Sequence, residues 1–334
     1  METLKAGRPA IEFIKFCYRA NRSPLLEAYH GIGKSELMKQ AATELGIGYI
    51  TRDLSLMEPP DLVGLPKMNG ATTKYLPPDS LPTNGKGILT FEELNRSEKY
   101  MQGPCLELLT SRRLNDYVLP PGWLPAACIN PADTKENYDV RDLDPALLSR
   151  FVRARLVADC EEWLTWARGN GIHPAVIDYV ENDSTVFDQP RSNPRSWKYV
   201  SDLVWAAEQE PTAPAILRVG IVGLVGAERG AAFLRIMKHS ERPLSADAIL
   251  GSYGQIRQQV QGWIKNGKLD MVAAALHSLK IHLQPEQDFE AVKSDRKRWN
   301  CLAQFLYDLP GDLLKDAKEY FAECKYAFPK CPKK

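Results

Sequence analysis

The chain has 334 residues, 44% of them hydrophobic, with 43 lysines and arginines against 42 aspartates and glutamates, for a net charge of +1. That length suggests two domains, a large one with an appendage, and the apolar share is enough to bury a core, which excludes a disordered chain. The balanced charge gives no overall attraction for nucleic acid or an anionic membrane.

Apolar residues at helical spacing over residues 9–19, after Pro9, predict a first helix. A short apolar run from Leu25 to Tyr29 predicts a strand, followed by a glycine-containing turn at 30–33 and a helix from Lys34 to about Leu45. Gly46 to Leu54 reads as the next strand. Residues 57–86 are rich in proline, glycine, threonine and asparagine and read as loop, with one hairpin around Lys67 to Tyr75. Ile88 to Phe91 is a short apolar run ending in Glu92-Glu93, as a buried parallel strand would. A helix is expected over Ser97–Thr110, a hairpin over Arg113–Pro120 turning at Asn115-Asp116, and strands over Leu124–Ile129 and Arg153–Val157. Repeated strand and helix units predict a parallel sheet with helices on its faces.

Strand signals vanish after Asp159. Helices are expected at Glu161–Arg168, Pro174–Glu181, Pro194–Glu208 and Pro214–Leu224, and helical periodicity continues over 245–327. The expected division is an α/β nucleotide-binding domain over 1–158, a helical lid over 159–240, and a helical C-terminal extension over 241–334. The main cut falls near 158 and a weaker one near 240, at Ser240-Glu241-Arg242-Pro243. The stretch from Ala215 to Leu224, continuing to Leu234, is the most apolar; it is too short and too charged to span a bilayer and reads as a buried helix. Residues 1–9 lack the apolar core of a signal peptide. The seven cysteines form no Cys-x-x-Cys pair and read as reduced, mostly buried thiols. A cytoplasmic protein without a membrane segment is expected.

The segment Ala28-Tyr29-His30-Gly31-Ile32-Gly33-Lys34-Ser35 follows the phosphate-loop pattern G-x-x-x-x-G-K-[ST], with Ala28 in place of the first glycine. Small residues let main-chain N–H groups wrap phosphates, and the helix beginning at Lys34 points its positive end at them. The Lys34 ammonium would neutralise β/γ-phosphate oxygens, and the Ser35 hydroxyl would take one Mg2+ position. Glu92 and Glu93, closing an apolar strand, are the matching carboxylates: the first to hold Mg2+, the second to orient or deprotonate water. Asn130, at the end of Leu124–Ile129, is a polar group at a neighbouring strand end. Arg150, in Leu143 to Phe151, and Arg195, in Pro194-Arg195-Ser196-Trp197, are candidate arginines for the nucleotide. Alone, each of these later residues has a plain structural reading as a turn, cap or surface residue; the order of the set is what points to chemistry.

With HGIGKSEL, ILTFEELNRS, AACINP, DPALLSRF and PRSW in this order, the chain resembles the MoxR branch of AAA+ ATPases over about residues 8–240. Asp61 to Gly64 and Ser111 to Leu114 also fall where that family has its DLxG and its charged hairpin entry. The resemblance implies a P-loop AAA+ parallel sheet domain followed by an all-helical lid. It implies ATP and Mg2+ as ligands, with His30, Gly31, Ile32, Gly33, Lys34, Ser35 and Glu36 at the nucleotide and Ser35 and Glu92 at the metal. Glu93 then matches the catalytic carboxylate, Asn130 the sensor 1 position, Arg150 an arginine finger for the neighbouring subunit, and Arg195 the sensor 2 arginine. It implies a homo-oligomer, a hexameric ring, that remodels a protein client such as one with a von Willebrand type A domain.

Two positions depart from the family. Glu92 stands where aspartate is usual, which lengthens the reach to the metal and is expected to slow turnover. Ala28 adds a methyl at the loop's start. Two other readings are a nucleotide-gated binding or scaffold module with little turnover, and a nucleic-acid-directed motor of a defence or phage system, which the neutral charge disfavours. His30 is expected to face solvent. Trp163, Trp166 and Trp197 are expected in the core. The clusters 295–299 and 330–334 read as solvated basic faces.

Overall fold

Leu25 and Leu26, Ile88 and Leu89, and Ala126 and Ala127 are neighbours in sequence, and all six are buried. A strand that buries both faces needs a helical layer on each side. The computed structural model supplies them; it describes residues 2–132, 139–209, 214–237 and 244–331. The weaker cut expected at 240–243 and the end of the basic tail lie outside the described residues.

The chain divides into two units, Met1–Trp163 with Phe187–Arg195, and Leu164–Val186 with Ser196–Lys334. In the first, the elements run β1 (Thr3–Lys5), α1 (Arg8–Arg19), β2 (Ser23–Glu27), α2 (Lys34–Leu45), β3 (Gly48–Asp53), α3 (Pro59–Val63), β4 (Leu65–Asn69) and β5 (Thr72–Leu76). They continue with β6 (Gly87–Glu92), α4 (Gln102–Ser111), β7 (Arg113–Leu114), β8 (Tyr117–Val118), β9 (Trp123–Ile129), α5 (Pro145–Leu148) and β10 (Phe151–Val157). The six-stranded sheet has the order β1-β10-β2-β9-β6-β3 and every pairing in it is parallel. This is the parallel α/β class expected, with helices downstream.

Side chains alternate between the two faces. Leu26, Ile88, Ala126, Cys128 and Ala154 pack with Ile14 of α1 and Met38 and Ala41 of α2. Leu25, Leu89, Phe91, Ala127 and Ile129 pack with Cys105 and Leu108 of α4 and Leu147 of α5. Strand β2 lies between β9 and β10, both of which come much later in the chain. The crevice beyond the carboxyl end of such a strand is where open α/β sheets place ligands, and the phosphate-loop sequence follows β2 directly.

The second unit is helical. It holds most of α6 (Cys160–Gly169) and α8 (Pro194–Gln209), with α7 (Pro174–Glu181), α9 (Pro214–Val225) and α10 (Ala227–Met237). Trp197 has no exposed surface, stacks on Tyr179 at 4.7 Å between centroids, and meets Phe233 edge-on at 5.5 Å. Trp163 is buried as expected, and Trp166 is partly exposed. The extension follows as α11 (Ala246–Lys265, kinked at Ser252), α12 (Leu269–Leu283), α13 (Glu286–Ser294), α14 (Arg296–Asp308) and α15 (Gly311–Glu323). Tyr253, Leu276, Phe289, Phe305 and Phe321 share its core.

Three elements differ from expectation. The edge strand β1 was not expected: three residues carry no periodicity, and only pairing with β10 makes them a strand. A short helix, α3, interrupts the stretch read as loop, held by reciprocal capping between Glu58 and Asp61. The apolar stretch from Ala215 does not form a buried helix. Only Ile221 and Val225 of α9 are buried, while Ile216 and Val219 are 67% and 73% exposed. Gly226, at φ +84°, then ends α9 before α10 begins. No helix among the described residues is long and apolar enough to cross a membrane.

Candidate functional site: a phosphate loop facing an acidic strand end

The loop after β2 is shaped by its glycines. Gly31 and Gly33 have φ of +74° and +99°, a region costly for residues with a Cβ. At Gly31 there is a second constraint, because a Cβ would sit 2.1 Å from Oδ1 of Asn193. The Arg195 main-chain N–H donates to the Gly31 carbonyl at 3.0 Å. The segment bearing Asn193 and Arg195 therefore lies against the loop, within the same unit. Alternating backbone hand of this kind turns successive N–H groups into an anion-binding concavity, and α2 begins directly behind it at Lys34.

Lys34 is buried, 8% exposed. Its Nζ donates to the carbonyls of Ala28 at 2.7 Å and Tyr29 at 3.4 Å, and to Oδ1 of Asn130 at 2.9 Å. Burial lowers its affinity for a proton, while the charges of Glu93 and Glu92 oppose that effect. Asn130 in turn donates from Nδ2 to Oε2 of Glu93. One amide thus bridges the cation at the helix start and the carboxylate past the strand end. Glu93 takes φ +54°, an uncommon backbone for a residue with a side chain. Two main-chain bonds to its carbonyl hold it there, from the N–H of Arg96 at 2.8 Å and of Ser97 at 3.1 Å. Arg96 also approaches Glu93 Oε2 at 3.6 Å.

Glu92 points to the opposite face of the sheet from Phe91, toward Ser35 and Cys128. Burial raises its pKa above the ordinary carboxylate range, against the opposing pull of the Ser35 hydroxyl, the Cys128 thiol and Lys34. Its Oε1 is buried with no hydrogen-bond partner among the described residues. An unpartnered carboxylate oxygen beside a serine hydroxyl is a donor set of hard oxygens, which fits Mg2+. The neighbouring Cys128 thiol is pushed far up by burial, so it stays protonated.

The site residues fall into two groups. Gly31, Gly33, Lys34, Ser35, Glu92, Glu93 and Asn130 meet at the carboxyl edge of the sheet, with Arg195 joined to the loop through its main chain. His30, within the loop, and Glu36, just past it, are exposed, while Ile32 is partly buried. The Glu36 carboxylate accepts from Gln40 at 3.2 Å. Arg150 stands apart. It precedes β10, whose Phe151 pairs with Ser23 at the amino end of β2. The five residues of β2 put it roughly 15 Å from the phosphate loop's edge of the sheet. Its guanidinium is exposed and bonds to Ser149 Oγ at 2.7 Å and the Ala146 carbonyl at 3.3 Å.

Sequence reasoning missed Asn95, Arg96 and Asn193. Asn95 and Arg96 lie inside the stretch that carried the resemblance, but nothing local marks them. Only the parallel pairing of β6 with β9 brings the turn after Glu93 beside Asn130.

No protein-family profile matches this chain, and no curated protein matches it in sequence. Among solved structures, a candidate ATPase of Cytophaga hutchinsonii is similar at 18% identity, covering 68% of this chain and 71% of that one, with a TM-score of 0.38. NtrX from Brucella abortus in complex with ADP is similar at 12% identity over 93% of this chain and 67% of that one (TM-score 0.43). In a second NtrX structure the match spans 60% of this chain and about half, 51%, of the other. The RuvB Holliday junction branch migration motor of Thermotoga maritima is similar at 14% identity over 75% and 76% of the two chains (TM-score 0.40). Likenesses this distant carry nothing about activity.

Proposed function

We propose that the protein is an ATPase of the AAA+ type, of the MoxR branch, that uses ATP and Mg2+ within a ring of subunits, a hexamer, to remodel a protein partner. The observation that carries the reading is the hydrogen-bonded chain Lys34–Asn130–Glu93 at the carboxyl edge of a parallel sheet, beside a glycine-shaped loop at a helix start. The resemblance supplies the branch, the ring and the class of client, a von Willebrand type A protein.

The main-chain N–H groups of His30 to Glu36 receive the β- and γ-phosphates. Lys34 exchanges its bonds to the Ala28 and Tyr29 carbonyls for phosphate oxygens. Ser35 and Glu92 would hold Mg2+, which supplies charge neutralisation to the phosphates when bound. Glu93 accepts a proton from water as the water oxygen bonds to the γ-phosphorus and the bond to the bridging oxygen of ADP breaks. Asn130 fixes the carboxylate in that act. Arg195 serves the γ-phosphate of its own subunit, and Arg150 that of a neighbour.

Two substitutions test this. Lys34→Ala abolishes ATP binding in calorimetry. Glu93→Gln keeps ATP affinity and lowers phosphate release by about 100-fold or more; release at the wild-type rate removes Glu93 from its role. A second reading has one observation in its favour. Glu93 Oε2 is held by both Asn130 and Arg96, which suits a nucleotide-gated binding module with little turnover. Steady-state phosphate release by the assembled protein separates the two.

A further inference from the structure

Glu93 and Lys34 are joined through one amide, so something must hold that amide still. Asn130 follows the last residue of β9, where the sheet's hydrogen bonds end. Its main-chain N–H and C=O are nevertheless satisfied, both by one side chain. Asn95 Nδ2 donates to the Asn130 carbonyl at 2.7 Å, and Asn95 Oδ1 accepts from the Asn130 N–H at 3.3 Å. Both residues are buried, Asn95 at 4% exposure and Asn130 at 3%. A primary amide that bonds both the N–H and the C=O of one residue imitates one more rung of a sheet and fixes the backbone rotations on either side of that residue's Cα.

Asn95 is itself held. The main-chain N–H of Arg141 donates to its carbonyl at 2.7 Å, and the Leu94 N–H donates to the Cys128 carbonyl at 3.3 Å. Ser97 Oγ, also buried, donates to the Leu94 carbonyl at 2.7 Å. The turn that follows Glu93 is thus tied to β9 through Leu94, closed on itself by Ser97, and held at Asn95 by Arg141.

From this we infer that Asn95 is a positioning residue. It clamps the Asn130 backbone so that the Asn130 side chain bridges Lys34 and Glu93. The inference rests on the ATPase reading for its effect on rate, though the clamp itself exists without nucleotide. The Asn95 side chain bonds to the Asn130 main chain. Its contribution passes entirely through Asn130.

That dependence gives the test, a double-mutant cycle on the full chain. Asn95→Ala is expected to lower kcat by roughly 10- to 100-fold, since an ångström of misplacement costs that much. Affinity for a non-hydrolysable ATP analogue stays within about twofold, because Lys34 and the loop remain. In the Asn130→Ala background, Asn95→Ala changes kcat by less than about twofold, since there is no side chain left to position. Equal losses in the two backgrounds, or a loss that falls on affinity, overturn the proposal. If Asn95→Ala does not fold, the same cycle with Asn95→Ser, a neutral polar side chain too short to meet both the N–H and the C=O of Asn130, reads the loss of the two-way bond. Amide hydrogen exchange of Asn130 in the nucleotide-free protein is the second readout, and it accelerates in Asn95→Ala. Unchanged exchange also overturns the clamp. A wild-type protein that hydrolyses no ATP sinks the ATPase reading instead, and the exchange measurement still decides the clamp.

Discussion

At the scale of single residues, the site places charge where burial opposes it. Glu92 ends β6 with one carboxylate oxygen lacking a partner among the described residues, and burial raises its pKa. An acid whose folded pKa lies above the unfolded one binds its proton more tightly when folded. Stability therefore falls as pH rises from the unfolded pKa to the folded one, and above that window the whole cost is present. In Glu92→Gln a neutral amide of similar shape removes the cost. The nucleotide-free variant is expected to melt higher than wild type at neutral pH, on the order of 2–4 °C, and the gain vanishes at pH values below the ordinary carboxylate range. Melting curves across pH check this; a lower melting temperature at neutral pH contradicts it. The same variant loses the oxygen that fits Mg2+, so it should gain less stability than wild type from ATP added with the metal.

The phosphate loop shows at the scale of elements which parts of a fold can be read from sequence. Its helix begins at Lys34 and ends at Leu45, as the spacing predicts, because α2 is fixed by local periodicity and by glycines at both ends. Buried strands such as β6 and β9 are equally legible as apolar runs. The contact between Gly31 and Asn193 is not, because it joins positions more than a hundred residues apart. Helix α9 fails for a related reason. Its composition says buried, but composition does not record that only one stripe, through Ile221 and Val225, finds a partner. The loop's two glycines test the distinction. Gly33→Ala meets open space and should cost only the backbone strain of a positive φ, about 1–2 kcal/mol. Gly31→Ala pays that strain and must also displace Asn193, so it should be the more destabilising in denaturant unfolding. In an Asn193→Gly background the two glycine substitutions should cost the same. A persistent difference would mean that Asn193 is not what confines position 31.

At the scale of the whole molecule, the phosphate loop, the paired carboxylates and Asn130 assemble at one edge of the sheet, so most of the candidate site was legible as ordered motifs. Asn95 was not legible, because its role exists only once β6 lies beside β9. Arg150 is the exception that has a consequence. It belongs to the same unit as Lys34, yet the length of β2 separates it from the carboxyl edge. On the reading proposed above, a guanidinium at that distance is too far from a nucleotide bound at its own phosphate loop, whereas an exposed one is free to meet another copy. If hydrolysis depends on that reach, Arg150→Ala keeps ATP affinity and loses on the order of 1,000-fold in phosphate release. Lys34→Ala has the opposite defect: it binds no ATP but still presents Arg150. Neither variant alone should turn over, while a mixture of the two should recover part of the wild-type rate, because an Arg150→Ala subunit then binds ATP beside a Lys34→Ala neighbour that supplies the arginine. Recovery should rise with total protein concentration, as assembly requires. A mixture no more active than its parts, or an Arg150→Ala protein that hydrolyses normally, would show that each subunit completes its own site.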